Sequence, residues 1–179
     1  MSKNNLVKLL VLAAIVAASL VFALRRRPPH PVAIGEAAPD FTLGTLTATP
    51  ISLHDFRRQV VVLNFWATWC PPCVEEAPGL EKFARQMRDQ GVTVLGVSVD
   101  QDAEALRKFV AETPLSFRIA RDPDQAVAGR YGTHIFPETY ILDRDGKVAE
   151  KLIGAVDWQD PRMVGFVHEL ASGLTPQGQ

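Results

Sequence analysis

Hydrophobic and polar positions divide the 179-residue chain into two unlike parts. Leu9 to Leu24 carries no charge and is interrupted only by Ser19. A buried helix of a soluble core usually keeps one polar face, and this run has none. With Leu6, Val7 and a snorkelling Lys8 it reaches 19 residues, inside the ~17–25 that span a bilayer core. Beyond it the pattern shortens. Phe41-Thr42-Leu43 and Ile51-Ser52-Leu53 predict a small opening β-hairpin around a Gly/Thr-rich turn. Val60 to Phe65 (VVVLNF) and Val92 to Val99 (VTVLGVSV) are β-branched runs without alternation, as in strands buried on both faces. Between them a helix is predicted from Pro71 to about Asp89, with Leu80, Phe83, Ala84 and Met87 on one face and Gly91 as its stop.

The remaining elements follow the same logic. Asp100 or Asp102 caps a helix with Ala103, Leu106, Phe109 and Val110 on its apolar face. Phe117 to Ala120 is a short strand, and Asp122-Pro123 opens a short helix through Ala126, Val127 and Arg130. Glu138 to Leu142 and Lys147 to Ile153 form a hairpin about the Asp145-Gly146 turn. Asp160-Pro161 caps a last helix with Val164, Val167 and Leu170 in phase, ended by Gly173. Strands alternating with helices predict an α/β domain with a sheet covered on both faces, and the late hairpin makes that sheet mixed. The expected organisation is a membrane segment over 1–27, a Pro-rich extended spacer over 28–34 (including the Pro28-Pro29-His30-Pro31 run) and one domain over 35–179.

Charge sharpens this division. The net charge is −1, which argues against a nucleic-acid binder held by phosphate contacts. All 20 acidic residues lie beyond residue 27, while five of the 19 basic residues (Lys3, Lys8, Arg25, Arg26, Arg27) lie within 1–27, so the rest of the chain carries −6. Val21-Phe22-Ala23 has small residues where a signal peptidase would cut, but the arginines that follow oppose cleavage, which favours an uncleaved anchor. The two lysines and three arginines flank the segment on opposite sides, so charge alone does not orient it. The domain is assigned to the outer side on its chemistry.

That chemistry lies in Trp69-Cys70-Pro71-Pro72-Cys73, which follows a buried strand and opens a helix. A structural disulfide across three residues closes a very small loop and is a poor staple for a domain of this size. A structural zinc site wants four ligands, and the chain has no second cysteine pair; His30, His54, His134 and His168 are scattered singly. The third reading, a redox dithiol, fits best. Cys70 meets the unpaired N–H groups and positive dipole end of the helix, which stabilise a thiolate, the species that attacks disulfides. Cys73, one turn on, is within reach to break the mixed disulfide. Pro71 and Pro72 occupy positions whose N–H groups a helix leaves unused, and they hold the turn rigid. No nicotinamide or flavin motif and no metal motif is present, so electrons would arrive by dithiol exchange.

The run Asn64-Phe65-Trp66-Ala67-Thr68-Trp69-Cys70-Pro71-Pro72-Cys73, with Glu76 and Pro78 after it, resembles the thioredoxin superfamily. More narrowly it is similar to the membrane-tethered TlpA/ResA-like branch, which includes the cytochrome c maturation thioredoxins. Ala38-Pro39-Asp40-Phe41-Thr42-Leu43 and Phe136-Pro137-Glu138-Thr139-Tyr140 agree with that branch, and the likeness covers about residues 35–172. It implies a thioredoxin-like fold with an N-terminal hairpin extension behind one N-terminal transmembrane helix. It also implies Cys70 as nucleophile, Cys73 as resolving thiol and Pro137 as a cis-proline facing them. A cis X–Pro bond costs only about 0.5–1 kcal/mol, and it would leave the Phe136 backbone free to pair with an extended substrate. An ordinary strand-opening proline is the plainer reading of Pro137. Trp69, Pro71, Pro72, Phe136 and Pro137 are then the substrate-facing surface, with Trp66 packed beneath; a plain core or surface aromatic is the alternative for either tryptophan. Pro78 falls where thioredoxins bend the active-site helix.

One departure carries weight. Thioredoxins of the cytosol place an Asp under the dithiol, where this chain has Asn64, which cannot take a proton from Cys73. Glu76 occupies the place of the acid that the ResA-like branch carries, and a half-buried carboxylate there would raise the thiol pKa values and serve as base for Cys73. The plain alternative is a solvated helix glutamate beside Glu75. The implied activity is thiol–disulfide exchange at the outer face of a bacterial inner membrane, reducing exported protein disulfides such as those of apocytochrome c. A membrane-embedded dithiol would be the electron donor. A protein-thiol oxidase or isomerase is the neighbouring alternative. A redox-inert chaperone module that holds unfolded exported chains beside Pro137 is the alternative of another class. Peroxiredoxins share the opening hairpin, but they place Thr three residues before the reactive cysteine and Pro four before that; here those positions hold Ala67 and Leu63.

Overall fold

The computed structural model describes residue 8, residues 12–17, residue 19 and residues 31–173. The chain divides into two compact units, Met1–His30 and Pro31–Gln179. In the first unit the described residues are helical, and among the described residues no helix is long and apolar enough to cross a membrane. Most of the expected membrane segment, and spacer residues 28–30, lie outside the described residues. In the second unit packing begins upstream of Gly35: Val32 is buried and its N–H donates to the Tyr131 carbonyl at 3.2 Å.

The second unit is built on a five-stranded sheet. Its strands are β3 (Val60–Trp66), β4 (Val92–Ser98), β5 (Arg118–Arg121), β6 (Glu138–Leu142) and β7 (Val148–Ile153), in the spatial order β5-β4-β3-β6-β7. β3–β4 and β4–β5 are parallel, whereas β6 is antiparallel to β3 and to β7, so the sheet is mixed as expected. A separate two-stranded hairpin, β1 (Thr42–Leu43) with β2 (Ile51–Ser52), precedes it.

Every residue of β3 is buried, because helices cover both faces. Val60 and Val62 pack with Leu80, Phe83 and Met87 of α1 (Pro71–Met87) and with Val167 and Ala171 of α4 (Pro161–Ser172). Val61, Leu63 and Phe65 point to the opposite layer. There they meet Leu106 of α2 (Ala103–Glu112), Val127 and Tyr131 of α3 (Ala126–Tyr131), and Phe41 of the N-terminal extension. This period-two division explains the missing alternation in the sequence: both faces of the strand are interior.

Strand ends shift by one residue in β3, β4, β5 and β7, and three other boundaries differ for a physical reason. α1 stops at Met87, and a 3-10 turn over Arg88–Gln90 carries the chain to Gly91, whose φ of 74° is the left-handed stop. Leu53 opens a 3-10 turn (Leu53–Phe56) and does not extend β2. Asp122-Pro123 does not open α3, which starts at Ala126 after Gln125 in the left-handed region. Asp122 instead caps from a distance, its buried carboxylate accepting the Val127 and Ala128 N–H groups at 3.1 and 2.8 Å. The two expected caps hold: Asp102 accepts from Glu104 N–H at 2.8 Å and Asp160 from Arg162 N–H at 2.9 Å.

Candidate active site

The end of β3 delivers the dithiol. After Trp66 the chain turns through Ala67-Thr68-Trp69-Cys70, closed by the Cys70 N–H on the Ala67 carbonyl at 3.3 Å. Cys70 is the N-cap of α1 with extended backbone, and Pro71 and Pro72 fill the first helical positions. The Cys70 carbonyl accepts the N–H groups of Cys73 and Val74 at 3.0 and 3.1 Å. Cys70 and Cys73 are joined in a disulfide with Cα atoms 5.3 Å apart. Both are buried, whereas Pro71, Pro72 and Trp69 lie on the surface.

The second expected segment arrives from β6. The Phe136–Pro137 peptide bond is cis. The Phe136 ring stands edge-on to the Trp69 ring, centroids 6.0 Å apart, which brings this loop to the motif. The Pro137 carbonyl accepts the Gly154 N–H at 2.8 Å, extending the β6–β7 ladder to the start of the loop. Trp69 and Ile135 are both more than half exposed and give this face an apolar character.

Glu76 is not a solvated glutamate. It is 7% exposed, while its neighbour Glu75 faces solvent. Its Oε1 accepts the Val156 N–H at 3.0 Å and the Trp158 Nε1–H at 2.6 Å, both from the segment between β7 and α4. Burial pushes the Glu76 carboxyl above its ordinary range, and the hydrogen bonds from Trp158, Val156 and Asn64 pull the other way. A cavity of about 10 Å³ is lined by Asn64, Trp66, Cys73 and Glu76 with Ala77, Leu80, Leu115 and Phe117. Glu76 and Cys73 therefore line the same small pocket. Asn64 donates from Nδ2 to Thr139 Oγ1 at 2.9 Å, tying β3 to β6 under the site.

The site residues singled out from sequence thus lie around one point: Cys70, Cys73 and Glu76 on α1, Trp69 before it, and Phe136 and Pro137 opposite Trp69. Sequence reasoning missed Trp158 and Thr68, and it offered Asp100 only as a helix cap. Trp158 is 82 residues from Glu76, and nothing local marks the pairing. Asp100 turns back instead: its buried carboxylate accepts the Thr68 N–H and hydroxyl, two residues before Cys70. Among the described residues no group of three or more His, Cys, Asp or Glu is arranged to hold a metal. Ala67 and Leu63 are buried apolar side chains, so the threonine of a peroxidatic site has no counterpart here.

Known proteins are similar to this chain in sequence and in fold. Residues 34–151 match the AhpC/TSA family. The thiol-disulfide oxidoreductase ResA of Bacillus thuringiensis is 32% identical over 157 residues, covering 86% of this chain and 91% of its own length. The thioredoxin domain of a thiol-disulfide oxidoreductase from Bacteroides vulgatus superposes with a TM-score of 0.69 at 28% identity, over 78% of this chain and 99% of that one. A secreted thiol-disulfide isomerase from Corynebacterium glutamicum superposes with a TM-score of 0.69 at 28% identity, over 75% of this chain and 85% of that one. By sequence, fold and dithiol, the chain belongs to the AhpC/TSA family and, within it, to the thioredoxin-like thiol-disulfide oxidoreductases of the TlpA/ResA type.

Proposed function

We propose that this oxidoreductase is anchored by its N-terminal segment at the outer face of a bacterial inner membrane and reduces disulfides of exported proteins, apocytochrome c among them. Cys70 is the nucleophile. Its thiolate attacks one sulfur of the substrate disulfide, forming a Cys70–substrate bond and releasing the other substrate sulfur, which takes up a proton. Glu76 then accepts the Cys73 proton. Cys73 attacks the Cys70 sulfur, the second substrate sulfur leaves as a thiolate and takes the proton from Glu76, and the enzyme holds the disulfide. Two electrons have passed to the substrate, and a membrane-embedded dithiol restores them.

The observation that carries this reading is the Cys70–Cys73 pair at the head of a helix with Glu76 buried behind it. An ionised carboxylate beside the dithiol disfavours a second negative charge and keeps Cys73 protonated until resolution. Trp69, Pro71, Pro72, Phe136 and Pro137 receive the substrate. The Phe136 backbone makes no hydrogen bond among the described residues, so it is available to an extended segment laid down as an added strand. An apolar surface of this kind suits an unfolded polypeptide.

Equilibration of the full-length protein with glutathione buffers tests the direction. A potential near −270 mV or below supports the reductant, whereas one near −120 mV assigns a thiol oxidase. Full cellular function in a Cys70→Ser strain would replace both with the redox-inert chaperone.

A further inference from the structure

The turn that presents Cys70 is gripped from outside the motif. Asp100 follows the C-terminal end of β4 and is 2% exposed. Both of its carboxylate oxygens lie 3.1 Å from the Thr68 nitrogen, and Oδ1 takes the Thr68 hydroxyl at 2.6 Å. Oδ2 takes the Ser98 hydroxyl at 2.8 Å, and the Ser98 oxygen in turn accepts the Asp100 N–H at 3.2 Å, which fixes the carboxylate's own orientation. Removing a carboxylate from water is costly unless donors replace the water. Here two donors of one residue, Thr68, supply most of the replacement. Thr68 and Trp69 are the central residues of the turn closed by Cys70 N–H on the Ala67 carbonyl. Trp69 is 61% exposed at its tip, so Thr68 is where the protein interior holds the turn.

We propose that Asp100 is a positioning residue for the dithiol: through Thr68 it fixes the 67–70 turn, and so holds the Cys70 sulfur at the head of α1 and the Trp69 ring against Phe136. The mechanism is geometric. Pro71 and Pro72 carry no N–H and those of Cys73 and Val74 end on the Cys70 carbonyl, so it is the positive end of the α1 dipole, felt only within the first turn, that stabilises a thiolate at Cys70. A loosened turn lets the sulfur drift from that position and leaves it more often protonated. The inference rests on the reading of Cys70 as nucleophile and adds the element that aims it.

The test uses the reduced full-length protein and iodoacetamide, with the alkylated cysteine identified by mass spectrometry and its rate followed against pH. Thr68→Val removes the hydroxyl without changing charge, Thr68→Ser restores it, and Asp100→Asn alters the carboxylate; Glu76, the other acid buried beside the dithiol, stays in place in all three. Thr68→Val is expected to move the Cys70 alkylation midpoint upward and slow alkylation at neutral pH about fivefold. Thr68→Ser should behave as wild type. Asp100→Asn should also move the midpoint upward, although loss of a negative charge acting only through space would move it down. A midpoint that stays in place or falls in Thr68→Val overturns the proposal, and the Thr68 pair decides it even if Asp100→Asn fails to fold. If Cys70 of the wild-type protein is not alkylated ahead of Cys73, the nucleophile reading itself fails; that result is separate from any effect at Thr68.

Discussion

Replacing Glu76 by glutamine removes a charge beside the dithiol while sparing the packing around it. Both donors from the 156–158 segment end on Oε1. Glutamine keeps an oxygen there and exchanges only the other carboxylate oxygen for an amide. Glu76 and Cys73 are three residues apart on α1, which sets their Cβ atoms about 5–6 Å apart. Both are buried and line the same cavity. At about 6 Å and an effective dielectric of about 20, a carboxylate and a thiolate repel by about 3 kcal/mol. That repulsion corresponds to about two pH units in the Cys73 titration. The measurement is clean in a Cys70→Ser background, where Cys73 is the sole thiol. Its alkylation is followed against pH, in the range where the Glu76 carboxyl has ionised. The Glu76→Gln midpoint should lie about two units below that of the Cys70→Ser parent. A midpoint that does not fall would show that the carboxylate exerts no field on the Cys73 sulfur, and the role given to Glu76 would be withdrawn.

Two further outcomes are expected. Burial raises the Glu76 carboxyl above its ordinary value of 4.5 in the folded protein, so its contribution to stability is full below that value and is lost as pH rises through the folded pKa; urea unfolding of the oxidised protein between pH 4 and 8 should show Glu76→Gln gaining stability on wild type with rising pH, and parallel profiles would contradict this. Trp69 is mostly exposed and touches Phe136 edge-on, so Trp69→Ala should cost the fold no more than that aromatic contact, about 0.5–1.5 kcal/mol, while raising KM for a protein disulfide; an equal loss with a small aromatic disulfide would argue against a substrate-facing ring.

Much of the fold is legible along the chain because its determinants are local. β3 and β4 show as β-branched-rich runs, the Asp102, Asp160 and Gly173 signals fall at real helix ends, and Gly91 closes the 3-10 turn that follows α1. The short elements are less legible. Asp122 acts on N–H groups five and six residues downstream, so reading Asp-Pro as a helix start placed α3 too early. Glu76, expected from the resemblance as a half-buried carboxylate, is also legible from helical phase alone. The buried positions of α1 run Cys73, Glu76, Ala77, Leu80, Glu81, Phe83, Ala84 and Met87, and Glu76 is in phase with them whereas Glu75 is not. Glu81 shares that phase but is answered by Arg85 one turn on; a buried-phase acid with no such cation beside it in the helix is the signal.

The amino-acid sequence alone settled the chemistry, because the two sulfurs, the prolines between them and the helix they begin are consecutive, and three residues of helix are enough to bring one sulfur to the other. What surrounds that chemistry was decided only when β3, β4 and β6 were laid side by side and the 156–158 segment folded back over α1. Trp158 reaches Glu76 across 82 residues, Asp100 reaches Thr68 across 32, and Asn64 reaches Thr139 across 75. A hydrogen bond between distant residues leaves no periodicity and no spacing in the chain, since it depends on the packing of whole elements and not on the geometry of neighbouring peptides.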